Sequence, residues 1–210
     1  MKITIVGAGG NIGQRIVKEA ASRNYSLKLI TSKSKDFFGI KNIELQAVDI
    51  FNTDALAESF KGSDVVVSAY APPHSDTSKL MEASKSLVAA AKKANVRLIA
   101  VGGAGSLKVS ETLQLVDAPN FPEEYKPVAL AHRDVLEQVY NKERELNWTN
   151  VSPSAYIFEG ERTNNFKIGE DNLIANDKGE SSISMEDFAV GIINEVEEAK
   201  FSKKRFTIGY

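Results

Sequence analysis

Ile3-Thr4-Ile5-Val6-Gly7-Ala8-Gly9-Gly10-Asn11-Ile12-Gly13 changes conformation twice within one short stretch. Ile3 to Val6 is an apolar run suited to a buried strand, and the glycines end it. From Asn11 the period changes, with Ile12, Ile16, Val17 and Ala20 recurring at helical spacing. A strand that passes through a glycine turn directly into a helix opens a β-α-β crossover. Glycine tolerates the positive φ of such a turn and leaves the main-chain amides uncovered. Amides at a helix start, assisted by the helix dipole, attract a diphosphate. The expectation is a dinucleotide seated on Gly7 and Gly10, with Asn11 and Ile12 offering amides and Gly13 letting helix and strand pack closely. A purely connecting glycine turn is the bland alternative, and the β-α-β context argues against it.

Outward from this loop, strands and helices alternate. Strands are expected at 27–30, 43–48, 65–67, 96–101 and 148–151, the last stopped by Pro153. Helices are expected at 55–60 behind a Thr53 cap, through Leu80, Ala83, Leu87, Val88 and Ala91, and at 128–146. Nearly continuous apolar strands alternating with helices imply a parallel sheet covered on both faces, joined by right-handed crossovers. The fold class is therefore α/β, a Rossmann-type doubly wound parallel sheet. The last quarter differs: 166–175 looks like a hairpin around Gly169-Glu170-Asp171-Asn172. Ser184-Met185-Glu186-Asp187 looks like a capping box opening a helix to Glu198, and 206–208 a final strand. Residues 1–210 are expected to form one domain, with 154–204 a small lid-like segment covering the substrate.

The second strand ends Leu29-Ile30-Thr31-Ser32-Lys33-Ser34-Lys35, with no acid before Asp36. An acid at this place would hold the ribose hydroxyls of NAD, whereas hydroxyls and lysines favour a 2′-phosphate. Ser32 and Lys33 therefore point to NADP(H), with NAD(H) possible; ordinary solvated loop charges are the alternative. Asp49, after the third strand, is either an adenine acceptor with Ile50 packed on the ring or a turn acid.

Composition narrows the classes. At 42% hydrophobic and 26% charged residues, the chain is suited to a single globular core. A formal net charge of -2 gives no basic field for nucleic acid, and no apolar run approaches a membrane span. The absence of cysteine excludes disulfides and thiolate chemistry and fits a reducing, cytoplasmic setting.

The segments 7–13, 63–70 (Ser-Asp-Val-Val-Val-Ser-Ala-Tyr) and 101–107 (Val-Gly-Gly-Ala-Gly-Ser-Leu) carry a resemblance, joined by Trp148-Thr149, Val151-Ser152-Pro153, 183–189 and 205–210. With these the sequence resembles the atypical short-chain dehydrogenase/reductases, and among them the bacterial NADH-flavin reductase group. NmrA-like proteins and biliverdin reductase B are more distant likenesses. The resemblance implies an NAD(P)H-dependent oxidoreductase acting on a flavin, quinone or similar small conjugated electron acceptor, as monomer or homodimer. It places Ala69 and Tyr70 beside the cofactor, Gly102 near the nicotinamide and Pro153 bordering it. The family's Tyr-x-x-x-Lys pair is missing: Val128 and His132 stand in those places. That loss motivates the alternative, a non-catalytic NmrA-like redox sensor.

Two candidates for catalysis remain. Ser106 could bond a substrate carbonyl or merely cap a turn. His132 could act as an acid or orient a ribose, against the plainer reading of a helix histidine beside Arg133 and Asp134. His74 lies in the loop after the fourth strand and reads most simply as a surface residue. Two histidines far apart, without clustered carboxylates, suggest no metal site. Glu195, Glu197 and Glu198 read as a solvated helix face.

Overall fold

A computed structural model describes residues 1–31, 37, 39–73 and 76–210; Ser32, Lys33, Lys35, Asp36 and His74 lie outside them. β1 (Lys2–Val6) leads through the glycine loop into α1 (Asn11–Ser22), β2 (Ser26–Ile30) and β3 (Ile43–Gln46). Then come α2 (Thr53–Phe60), β4 (Val65–Ser68), α3 (Lys79–Ala94), β5 (Arg97–Val101), α4 (Lys126–Val135) and β6 (Trp148–Ser152). Short strands β7 (Tyr156–Phe158), β8 (Lys167–Gly169) and β9 (Ser182–Ser184) precede α5 (Met185–Glu198) and β10 (Lys204–Gly209).

The central sheet runs β3-β2-β1-β4-β5-β6-β10-β8, and every pairing is parallel except that of β8 with β10. It is the doubly wound Rossmann arrangement expected from the alternation. α1 and α5 cover one face over Ile5, Leu29, Val67 and Ile99. α2, α3 and α4 cover the other over Val66, Leu98 and Trp148. β1 lies between β2 and β4, so the chain departs in opposite directions on its two sides and opens a crevice at the strands' carboxyl ends.

Several local expectations are corrected. β3 stops at Gln46 rather than Val48, because its partner β2 ends at Ile30, which pairs with Gln46. The cap of α2 is Asn52, whose Oδ1 accepts the Ala55 N–H at 3.0 Å; Thr53 is already helical and bonds Ser86. α4 passes at Leu136 into a π-helical turn ending at Tyr140, so Leu146 reaches the core from a loop. The Glu143 carboxylate accepts the Leu146 N–H there. No hairpin forms at 166–175: Ile168 pairs with Ile208 of β10, and the second apolar run joins Lys108 through Leu173. Each run found a partner far away in sequence.

α5 does open at Ser184, whose Oγ accepts the Asp187 N–H at 3.0 Å. Asp187 does not reach back to complete the box. Fully buried, it accepts the Thr163 N–H and O–H, the Asn164 N–H and the Tyr210 hydroxyl. Glu195 is buried against Arg97 rather than solvated, and Glu197 bonds Tyr25 and Arg23. The 154–204 stretch is tied to the sheet's helical layer: Arg15 pairs with Glu159 and Glu186, and Arg162 with buried Glu19. Among the described residues no helix is long and apolar enough to cross a membrane.

Candidate functional site

β1 delivers Gly7 to the carboxyl edge of the sheet, where it takes φ +77°, a region side chains disfavour. A Cβ on Gly7 would also lie 2.8 Å from the Ala69 carbonyl oxygen. The loop is braced from beneath: Gly7 and Ala8 N–H donate to the Ile30 carbonyl, and Gly10 N–H to that of Gly7. Gln14 Nε2 donates to the Gly9 carbonyl from α1. Gly13 faces the loop so closely that a Cβ would overlap the Gly7 carbonyl and come within 3.0 Å of Ala8 Cα. Gly10, at the start of α1, has ordinary φ -75° and nothing nearer than 3.4 Å to an added Cβ. The constraint at Gly7 is backbone shape and that at Gly13 close packing, and Gly10 is free of both.

The starts of the other α-helices each carry a cap, an acid or a proline. α2 and α5 have side-chain caps and first-turn acids, α3 has Glu82 in its first turn, and α4 has proline at its start. α1 alone among the described α-helices has none of these. Its amides at Asn11, Ile12 and Gly13 keep the partial positive charge of a helix start.

Above this floor lies a cleft of about 570 Å³. Gly7, Gly9 and Gly10 form its base, Ile30 and Thr31 one wall, Val48 to Phe51 a second, and Ala69 to Pro73 a third. Asp49 is a turn acid: its Oδ1 accepts the Phe51 N–H at 3.0 Å, and it also lines the cleft. Ile50 is buried and contributes both to the core and to the wall. Desolvation, reinforced by the charges of Asp76 and Glu82, raises the pKa of the Tyr70 hydroxyl. Phe51, Pro72 and Pro73 also line the cleft, though they belong to no motif of the sequence. Phe51 carries Lys79 Nζ over its ring, 5.3 Å from the centroid. The apolar residues directly after Asp49 and Tyr70 were the available signal.

The structure gathers Gly7, Gly10, Asp49, Ile50, Ala69 and Tyr70 around one cleft, with Asn11, Ile12 and Gly13 at its helical rim. Gly102, Pro153, Ser106 and His132 lie outside its lining. Gly102 is buried at the end of β5, packed on the Asn150 amide, with its N–H donating to the Val151 carbonyl. Pro153 is buried at the end of β6. Ser106 is buried and its Oγ accepts Arg205 Nη1 at 2.8 Å; Arg205 is held in turn by Asp171. His132 packs on α4 against Gly103, where an added Cβ would lie 2.9 Å from the His132 Cβ. No group of acidic or histidine side chains among the described residues could hold a metal.

The family model described as NAD(P)H-binding matches residues 7–199. The chain belongs to this NAD(P)H-binding family. The match begins at Gly7 and so includes all three glycines of the cleft floor. This chain is 36% identical to the Bacillus subtilis protein YwnB over 99% of its own length and 98% of that protein's. A Burkholderia pseudomallei structure named "putative exported protein" superposes with a TM-score of 0.92 at 40% identity, covering all of both chains. A Streptococcus pneumoniae structure named "putative NADH-flavin reductase" superposes with a TM-score of 0.87 at 32% identity, covering 100% of this chain and 99% of the other. A Shigella flexneri structure named "Rossmann-fold NAD(P)-binding family protein", 20% identical with a TM-score of 0.68 over 99% of this chain and 92% of the other, shares the fold.

Proposed function

We propose that this chain is an NAD(P)H-dependent reductase that reduces a flavin, a quinone or another small conjugated acceptor, preferring NADPH and accepting NADH. The observation that carries the reading is the bare cleft floor: unobstructed glycines beneath an α1 start that the protein leaves without cap or acid. Gly7, Gly10 and the amides of Asn11, Ile12 and Gly13 would hold the pyrophosphate. Asp49 and Ile50 would border the adenine, and Ser32 and Lys33, by their place after β2, the 2′-phosphate. Ala69, Tyr70, Gly102 and Pro153 would border the nicotinamide end.

Bound NADPH supplies a hydride, two electrons with one proton; the second proton comes from solvent, giving NADP⁺ and the reduced acceptor. The chain's task is to stack the acceptor and exclude competing orientations, which needs no phenol-lysine pair. That fits Val128 and His132 in the places of that pair, and asks no proton of Ser106, whose Oγ is engaged by Arg205. The name of the S. pneumoniae relative supports the same acceptor class. The lack of cysteine fits a cytoplasmic setting for this enzyme, and a monomer or homodimer is the assembly proposed.

The test is NADPH oxidation followed by absorbance with riboflavin, FMN and menadione as acceptors. Acceptor-dependent turnover is expected; tight NADPH binding with no turnover on any of them refutes the reductase. The departure at Val128 and His132 favours one second reading, a dinucleotide-binding redox sensor. It predicts unequal affinity for NADP⁺ and NADPH without turnover.

A further inference from the structure

We propose that Tyr156 and Phe158 form the platform on which the planar ring of the acceptor stacks, an inference that rests on the reductase reading above. Successive side chains of a strand point to opposite faces. Ile157 turns inward onto the core that contains buried Ile183, while Tyr156 and Phe158 share the outward side. Outward faces of surface strands are ordinarily polar. Here Tyr156 is 66% exposed, more than any other large hydrophobic side chain described.

The two rings are parallel to within 13°, with centroids 5.6 Å apart, and Phe158 meets the Tyr210 ring at 6.5 Å. The row is therefore backed at one end and open at the other, where the outer face of Tyr156 meets solvent. Across the ribbon, Tyr156 pairs in register with Ser182 and Phe158 with Ser184, side chains too small to cover an aromatic ring. A flat, electron-poor ring extends such a row in the offset geometry aromatic pairs prefer. Stacking of this kind tolerates different ring systems because it uses no hydrogen-bond readout.

The platform is fixed, and fixed in a relevant place. Tyr156 N–H donates to the Ser181 carbonyl at 3.0 Å, and Ser154 Oγ to the Ile208 carbonyl at 2.9 Å. Glu159, directly after the strand, is bound at 2.7 Å by Arg15 of α1, the helix whose first turn rims the cleft. Pro153 at the end of β6 is three residues upstream, a span of at most about 10 Å of extended chain. The open ring face thus belongs to the carboxyl edge of the sheet, close in the chain to the end of β6.

The experiment is quenching of riboflavin fluorescence by protein saturated with NADP⁺, which has no hydride to give, so binding is read without turnover. Saturable quenching is expected, competed by menadione. Tyr156→Ala should weaken it about five- to tenfold and Tyr156→Phe by no more than about twofold, the difference an aromatic stack makes. NADP⁺ affinity should stay unchanged in both variants, and the exposure of Tyr156 means both should fold. Unaltered riboflavin binding by Tyr156→Ala overturns the platform, as does a parent protein that binds neither riboflavin nor menadione. A Tyr156→Ala change in oligomeric state, with flavin binding intact, overturns it in favour of a contact between copies. If the substitution abolishes flavin binding but the parent never oxidises NADPH, the reductase reading fails and the platform stands.

Discussion

Gly10 and Gly13 stand three residues apart, and alanine at the two positions should fail in different ways. At Gly13 the added methyl lies 2.9 Å from the Gly7 carbonyl carbon and 3.0 Å from Ala8 Cα, both backbone atoms that no rotamer change can move. α1 must retreat from the loop, and overpacking of this kind costs about 1–3 kcal/mol. The gain from replacing a helical glycine by alanine offsets up to about 1 kcal/mol of it. A net loss of about 1–2 kcal/mol lowers Tm by roughly 2–8 °C in a chain of this size. At Gly10 the nearest atom to the methyl is 3.4 Å away and φ is already -75°, so folding should be almost untouched.

The Gly10 methyl nevertheless stands on the cleft floor, between the α1 amides and any diphosphate. Losing two charge-assisted amide–phosphate bonds, each worth about 1.5–3 kcal/mol, weakens NADPH binding by about 100-fold or more. Thermal melts and NADPH calorimetry on both variants read the two effects separately. Gly10→Ala should melt with the parent and bind poorly; Gly13→Ala should melt early as well. Parent-like NADPH affinity in Gly10→Ala would refute the assignment of the floor as a phosphate seat.

Asp187→Asn should lower Tm by about 10 °C, because a buried carboxylate receiving four donors becomes an amide with two donors of its own; a melt within 2 °C of the parent, on that same scale, contradicts this. Hydrogen bonds from Arg162, against the desolvation of burial and with further help from Arg23, hold the Glu19 carboxyl below its ordinary value of 4.5. Its folded value being depressed, its contribution to stability is full above about pH 4.5 and is lost as pH falls through the folded value. Tm measured against pH should therefore fall less steeply on the acid side in Glu19→Gln than in the parent. Lys33→Ala should weaken NADPH binding about fivefold, as loss of one point-charge phosphate contact would, and leave NADH binding unchanged; equal losses for both nucleotides would place Lys33 outside the 2′-phosphate site.

What the sequence disclosed depends on how far apart the deciding residues stand. The floor of the cleft was legible because its constraints are local: Gly13 must be glycine on account of Gly7, six residues before it. The parallel sheet was legible because the burial of β1, β2, β4, β5 and β6 on both faces shows in their own composition. Pairings between distant segments were not. The run around Ile168 has the look of half a hairpin, yet nothing in it names Ile208 as its partner. Glu195 has the look of a solvated residue until Arg97, on β5, is brought against it. β7 and β9, three residues each, are shorter than any periodicity can register. The Thr53 expectation failed by a single place, because two adjacent residues were both competent caps and Asn52 made the bond.

The two ends of the site are thus encoded in different currencies. A diphosphate is recognised by main chain, which demands the absence of side chains, and such absences are conspicuous as spaced glycines. An acceptor is recognised by side chains whose type varies with the molecule, so no fixed spacing announces them. The lack of a tyrosine-lysine pair at Val128 and His132 consequently carries two meanings, loss of catalysis or a change of acceptor. Stacked rings at Tyr156 and Phe158 fit the second, but a sensor would offer the same exposed aromatic face to a protein partner, so riboflavin binding by the parent and by Tyr156→Ala decides between the two meanings.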